Sequence, residues 1–221
     1  MSRYNKLLSE IQAYHQSIDV DSVTYAGYYQ EQPVANIIDF DWKKLLDAPP
    51  KNSDKQTYNE LQQVISLSSK RSKEDIKFVY RIDANPNSIL YAYLTKNKID
   101  FPSNKFHIMY DICKPILANI KYLYDRARPY QLSRAYNTDI NLIVTPTHKT
   151  PSYPSGHVFY TALAANFVVD DNPSLKSQMN DIVDLTGQAR MMQGVHYLSD
   201  NIGGKKLADI LYNKLKETIN G

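Results

Sequence analysis

Cysteine is nearly absent from this chain. Cys113 is the only one in 221 residues, which excludes an internal disulfide and any dependence on an oxidising compartment. A lone cysteine usually behaves as a small buried hydrophobe, and packing is the reading for Cys113. No Cys/His cluster has zinc spacing. Long hydrophobic runs are lacking too. The longest uncharged apolar stretch, Val158–Val169, has twelve residues, against the roughly 20 of a membrane span. The start, Met1-Ser2-Arg3-Tyr4-Asn5-Lys6, has no apolar signal-peptide segment. These absences predict a soluble, cytoplasmic protein. Charge of one sign is also scarce. Lys and Arg number 26 and Asp and Glu 23, a net +3 spread along the chain with no basic arm, so nothing favours a nucleic-acid partner.

What is present is helical patterning. Hydrophobic residues make up 43% of the chain, enough for one sizeable core. No repeat, low-complexity tract or boundary divides it, so residues 1–221 are expected to form one domain. Leu7, Leu8, Ile11 and Tyr14 predict an amphipathic helix over 3–18. Residues 19–35 read as loop, and Asp39–Asp47 as a short helix around Trp42, ended by Pro49-Pro50. Asp54 is placed to cap a helix to about Ser68, and another helix covers Glu74–Ile82. Ser88–Tyr93 reads as helix, with strand as the alternative. The pattern from Lys105 to about Ala127 is again helical, with Pro115 a kink or break and Pro129 the stop. Residues 130–150 read as irregular, with a strand signal at Asn141–Val144. Helices follow over about 156–169, 174–193 and 204–218. The expected class is all-α.

Residues able to do chemistry collect in three places. Pro151-Ser152-Tyr153-Pro154-Ser155-Gly156-His157 leads through two proline turns into the uncharged run. Ser155 is thereby set at or near a helix N-terminus, where free backbone N–H groups and the helix dipole attract an anion. Gly156 permits close approach, and His157 adds a group that titrates near pH 6.5. Lys121 and Arg128, seven residues apart, fall on nearly one face of a helix, about 10 Å apart along its axis. Two such cations hold an anion between them, or else form a solvated basic stripe with Asp125 as a partner of Lys121. Arg190 to Asp200 is the third cluster. His196 and Asp200 are spaced for an imidazole–carboxylate hydrogen bond, catalytic or simply structural, and Gly194 allows a break before them. Five of the seven glycines (Gly156, Gly187, Gly194, Gly203, Gly204) lie between 156 and 204, so the backbone of this half is asked for close approach or unusual dihedrals.

In series the clusters read Lys121-x6-Arg128-Pro129, Pro154-Ser155-Gly156-His157 and Arg190-x5-His196-x3-Asp200. That combination resembles the type 2 phosphatidic acid phosphatase (PAP2) superfamily, and within it most closely the bacterial class A non-specific acid phosphatases. The likeness covers about residues 105–215. Ala189 stands where the family has serine, and Pro151 and Val158 replace glycine and threonine at the edges of the signature. The resemblance implies a compact helical bundle of the acid phosphatase/vanadium haloperoxidase type. It implies a metal-independent phosphomonoesterase with no cofactor, acting on a small phosphorylated substrate, and it suggests a homodimer.

Residue by residue it implies His196 as nucleophile, forming a phosphohistidine, with Asp200 fixing its tautomer. His157 is the general acid and then base. Lys121, Arg128, Arg190, Ser155 and Gly156 bind the phosphoryl oxygens. Three alternatives remain: a vanadate-dependent haloperoxidase, for which vanadate is a cofactor rather than an inhibitor; a lipid or pyrophosphate phosphatase; and a non-catalytic phosphate-binding structural protein.

Overall fold

The uncharged run Val158–Val169 forms the middle of the fold, most of its residues buried against other helices. The computed structural model describes residues 19–36 and 38–220, so the amphipathic helix expected over 3–18 lies outside the described residues. Among them the α-helices are α1 (Lys55–Lys70), α2 (Lys73–Ala84), α3 (Ser88–Asn97), α4 (Ser103–Tyr124), α5 (Pro129–Ala135), α6 (Gly156–Asp171), α7 (Lys176–Gln193) and α8 (Leu198–Asn220). They hold no strand, only one isolated bridge between Thr24 and Arg126. The protein is all-α.

Helix α6 packs chiefly on α7 and α8, and also on α4. Phe159 and Leu163 from α6 meet Phe106, Met109, Cys113 and Ile116 from α4 and Leu207 and Leu211 from α8 in one buried cluster. Burying each large apolar side chain contributes about 1.5–3 kcal/mol, and only an uncharged helix can occupy a centre buried all round. Cys113 is buried there as expected, and burial pushes its thiol up to about 12, which leaves it inert.

Several local expectations change. Helix α4 runs unbroken through Pro115 but stops at Tyr124, where Asp125 takes the left-handed conformation (φ 41°). Arg128 is extended, as a residue before proline must be, and Pro129 opens α5 rather than stopping a helix. Lys121 and Arg128 therefore do not share a helix face. Asp125 does not pair with Lys121 either; its side chain accepts from the Ala26 N–H. Residues 130–135, expected to be irregular, are helical.

The strand signal at Asn141–Val144 produces no strand, because no partner strand is near. Instead the end of α7 satisfies this backbone: Ile143 N–H donates to the Gln193 carbonyl, and Gln193 Nε2 donates back to the Ile143 carbonyl (3.1 Å each). Helix α8 begins six residues earlier than expected and passes straight through Gly203 and Gly204. Their role is close approach. A Cβ on Gly204 would sit 2.5 Å from the Ser155 carbonyl oxygen, and one on Gly203 would strike the Tyr153 ring. Small residues at these two positions are what let α8 lie against the start of α6.

Candidate active site

Each of the eight residues singled out by the sequence reaches one region at the N-terminal ends of α6 and α8. Ser155 is the residue before the first turn of α6, as its spacing indicated, and its N–H donates to the Asp200 carbonyl at 2.9 Å. The two helix starts are thus joined by a main-chain bond. The Ser155 hydroxyl is buried and has no partner. Gly156 faces the Lys121 stem, 3.8 Å from where its Cβ would be.

Gly194 ends α7 in the left-handed conformation (φ 90°), and the turn folds back so that the Val195 N–H donates to the Arg190 carbonyl at 3.2 Å. His196 Nδ1 lies 3.1 Å from Asp200 Oδ2, and its Nε2 lies 3.2 Å from Arg128 Nη1. Asp200 sits in the first turn of α8 and also accepts from the Tyr197 N–H at 2.9 Å. Burial and the neighbouring charges of Arg128 and Lys121 hold the His196 imidazole well below its usual range. It is neutral at physiological pH.

Lys121 and Arg128 converge through the turn at Asp125. Lys121 Nζ donates to the Pro151 carbonyl at 2.8 Å, and Arg128 donates to the carbonyls of Thr150 and Val195 at 2.9 Å each. Among the described residues neither forms an ion pair, although both are buried. Burial and the Arg128 charge push the Lys121 ammonium well below its ordinary value. Burial and the Arg190 charge push Arg128 down to about 10, still charged at neutral pH. A buried cation without a counter-charge is costly, so this arrangement calls for an anion. Arg190 is paired: Nη1 donates to Asp83 Oδ1 at 2.5 Å and Nη2 to Thr147 Oγ1 at 3.1 Å, while its Nε has no partner. His157 stands beside it, Nε2 3.2 Å from the Asp83 carbonyl. Burial and Arg190 depress its pKa to about 3.

Sequence reasoning missed two residues here. Asp83 binds Arg190. Burial alone would push its carboxyl up, but hydrogen bonds from Thr147 and Arg190 more than offset this and hold it below the usual range. Arg126 donates to Asp200 Oδ1 at 2.7 Å and to Ser199 Oγ at 2.8 Å, over the Tyr197 ring. Only the spacing Arg126-x-Arg128 could have drawn attention to the second; nothing in the sequence marked the first. His148 also comes close. It is buried against Thr145 and Tyr130, and burial with the Arg128 charge lowers its pKa.

A cleft of about 1150 Å³ reaches His157 and Gly156 from outside. Helices α3, α4 and α6 line it with Tyr91, Leu94, Leu117, Tyr110 and Tyr160, and its rim carries Lys98, Asp100 and His107. A phosphoryl group held by the cations would have its leaving group on this side, next to His157.

The PAP2 superfamily model matches residues 108–208, a span that holds the three clusters. Residues 108–208 are a PAP2-superfamily domain. Among solved structures, a transmembrane PAP2-type phosphatidylglycerolphosphate phosphatase from Bacillus subtilis is similar with a TM-score of 0.53 and 18% identity, over 74% of this chain and 86% of that one. That likeness speaks for the fold. No curated protein sequence matches the chain. Asp83 precedes the PAP2 domain, so the site is finished by residues outside the matched span. No helix among the described residues is long and apolar enough to cross a membrane.

Proposed function

We propose that this PAP2-superfamily phosphatase hydrolyses phosphomonoesters through a phosphohistidine at His196. One observation carries the reading: Lys121 and Arg128 are buried cations without ion-pair partners, beside two unpartnered donors, Ser155 Oγ and Arg190 Nε. A phosphoryl group supplies the missing charge and the missing acceptors together. Nε2 of His196 attacks phosphorus as the bond to the ester oxygen breaks, and the leaving alkoxide takes a proton from His157. His157 then removes a proton from water, which attacks the phosphohistidine and frees phosphate and His196. Asp200 holds Nδ1–H and steadies the charge that develops on the imidazole. The cations supply the charge a metal would bring, so chelation with EDTA should leave activity intact.

A lipid phosphate is the second reading of the substrate. The apolar, tyrosine-lined cleft beside His157 favours it, since it has room for a large apolar alcohol. Phosphate release from p-nitrophenyl phosphate and from a short-chain phosphatidate, with and without vanadate, tests both. Failure to release phosphate from either ends the phosphatase reading, and halide oxidation with vanadate and peroxide would replace it by the haloperoxidase one.

A further inference from the structure

Asp83 lies at the C-terminal end of α2, outside all three sequence clusters. Its buried carboxylate gathers donors from two separate segments. Oδ1 accepts from Arg190 Nη1 (2.5 Å), from Thr145 Oγ1 (3.0 Å), from the Thr147 hydroxyl, and from Gln193 Nε2 (3.5 Å). The main-chain carbonyl of the same residue meets His157 Nε2 at 3.2 Å. One residue thus touches both a phosphate-binding cation and the acid–base histidine.

Each contact has a chemical consequence. A carbonyl can only accept, so Nε2 of His157 carries a hydrogen and Nδ1 is the nitrogen left to exchange protons with the leaving group and water. Arg190 gives one N–H from each terminal nitrogen, Nη1 to Asp83 and Nη2 to Thr147, and its Nε–H has no partner. Those two bonds occupy two of the five guanidinium N–H groups, so phosphate is met by Nε–H and the terminal N–H groups that remain. The carboxylate and any bound phosphate also compete for the same positive charge.

We propose that Asp83 is a positioning residue that orients Arg190 and His157 together, and that its negative charge weakens the hold on the product so that phosphate can leave. This rests on the phosphatase reading above and adds to it a control on product release.

The test compares wild type with Asp83→Asn, which keeps size and polarity, removes the charge and leaves the carbonyl in place. Calorimetric titration with inorganic phosphate and with vanadate should show the variant binding roughly tenfold tighter, because a nearby like charge has been removed from an anion site. In steady-state kinetics KM and kcat should fall together as release slows. Asp83→Glu should return phosphate affinity towards wild type. Asp83→Ser, also uncharged, gives the same readout should the Asn variant fail to fold. A purely structural role predicts weaker binding in the uncharged variants, and equal or weaker binding overturns the inference. So does a Glu variant that binds as tightly as the Asn variant. Wild type that binds neither anion instead sinks the phosphatase reading itself.

Discussion

Arg128 Nη1 lies 3.2 Å from His196 Nε2. A guanidinium has no acceptor, so Nε2 must be the bare nitrogen and the ring proton must sit on Nδ1, facing Asp200 Oδ2. The tautomer a nucleophile requires is therefore in place before any ester arrives. In the proposed mechanism an incoming phosphoryl group replaces Arg128 at Nε2 and takes its N–H groups in exchange. On this basis His196→Ala should lower kcat on the order of 10⁴-fold or more. Melting temperature should change by only a few degrees. Alkaline quenching with radiolabelled substrate should leave an acid-labile phosphoprotein in wild type and none in the variant.

Asp200 faces His196 through Oδ2 and Arg126 through Oδ1. Asp200→Asn should therefore fail twice. The neutral amide no longer favours the Nδ1–H tautomer, which should lower kcat on the order of 10²–10⁴-fold. It also leaves buried Arg126 with only the more distant Glu60 carboxylate as counter-charge (3.9 Å), so stability should fall as well. Urea unfolding measured beside kinetics should show both losses.

Stability should depend on pH through the two histidines. Burial and Arg190 hold His157 at about 3 when folded, against roughly 6.5 in an unfolded chain. Between those values the unfolded chain binds the extra proton, so this contribution is fully present above about pH 6.5 and is lost as pH falls towards 3. His196 acts in the same direction. His157 keeps some exposure towards the cleft, which softens its share. Unfolding free energy should drop steeply from pH 6.5 to 4, and less steeply in His157→Gln.

The same depression shapes the rate profile. His157 is neutral in the free enzyme at pH 6, so the proton it later donates must arrive with the substrate, as the monoanion of the ester. A phosphomonoester loses that proton near pH 6. The value of kcat/KM should therefore fall above about pH 6, in a bell whose optimum is acidic to near neutral. A flat profile from pH 4 to 9 would contradict the assignment.

Thr95 stands exposed on α3 at the wall of the cleft. Thr95→Trp should fill part of that space with little strain in the core. KM for phosphomonoesters of large apolar alcohols should rise several-fold, while KM for glycerol phosphate stays near wild type. Equal changes for both would remove the cleft from substrate choice.

The convergence of the candidate site residues was legible in the sequence because it resides in fixed spacings. Ser155 before an uncharged helix, Gly194 before His196, and the interval from His196 to Asp200 each imply a local geometry that the fold adopts. Lys121 and Arg128 were paired correctly for a different reason from the one their spacing suggests. A left-handed Asp125 and the extended residue before Pro129 turn the chain, and no periodicity encodes that turn. Asp83 and Arg126 were not legible, since a single buried carboxylate or arginine on a charged segment looks like any solvated residue until tertiary packing encloses it. Asn141–Val144 misled because a short apolar run has strand propensity but cannot supply its own partner, and the end of α7 was nearer.

The bond from Ser155 N–H to the Asp200 carbonyl fastens the start of one catalytic helix to the start of the other. His157 and His196, the proposed proton donor and nucleophile, are thereby held by two helix starts that are tied together. The wall of the cleft lies elsewhere, at the corner where α3 meets α4, with Lys98, Ile99, Asp100 and Phe101. Replacements at that corner can retune which alcohol is accepted while the phosphoryl-transfer machinery stays untouched.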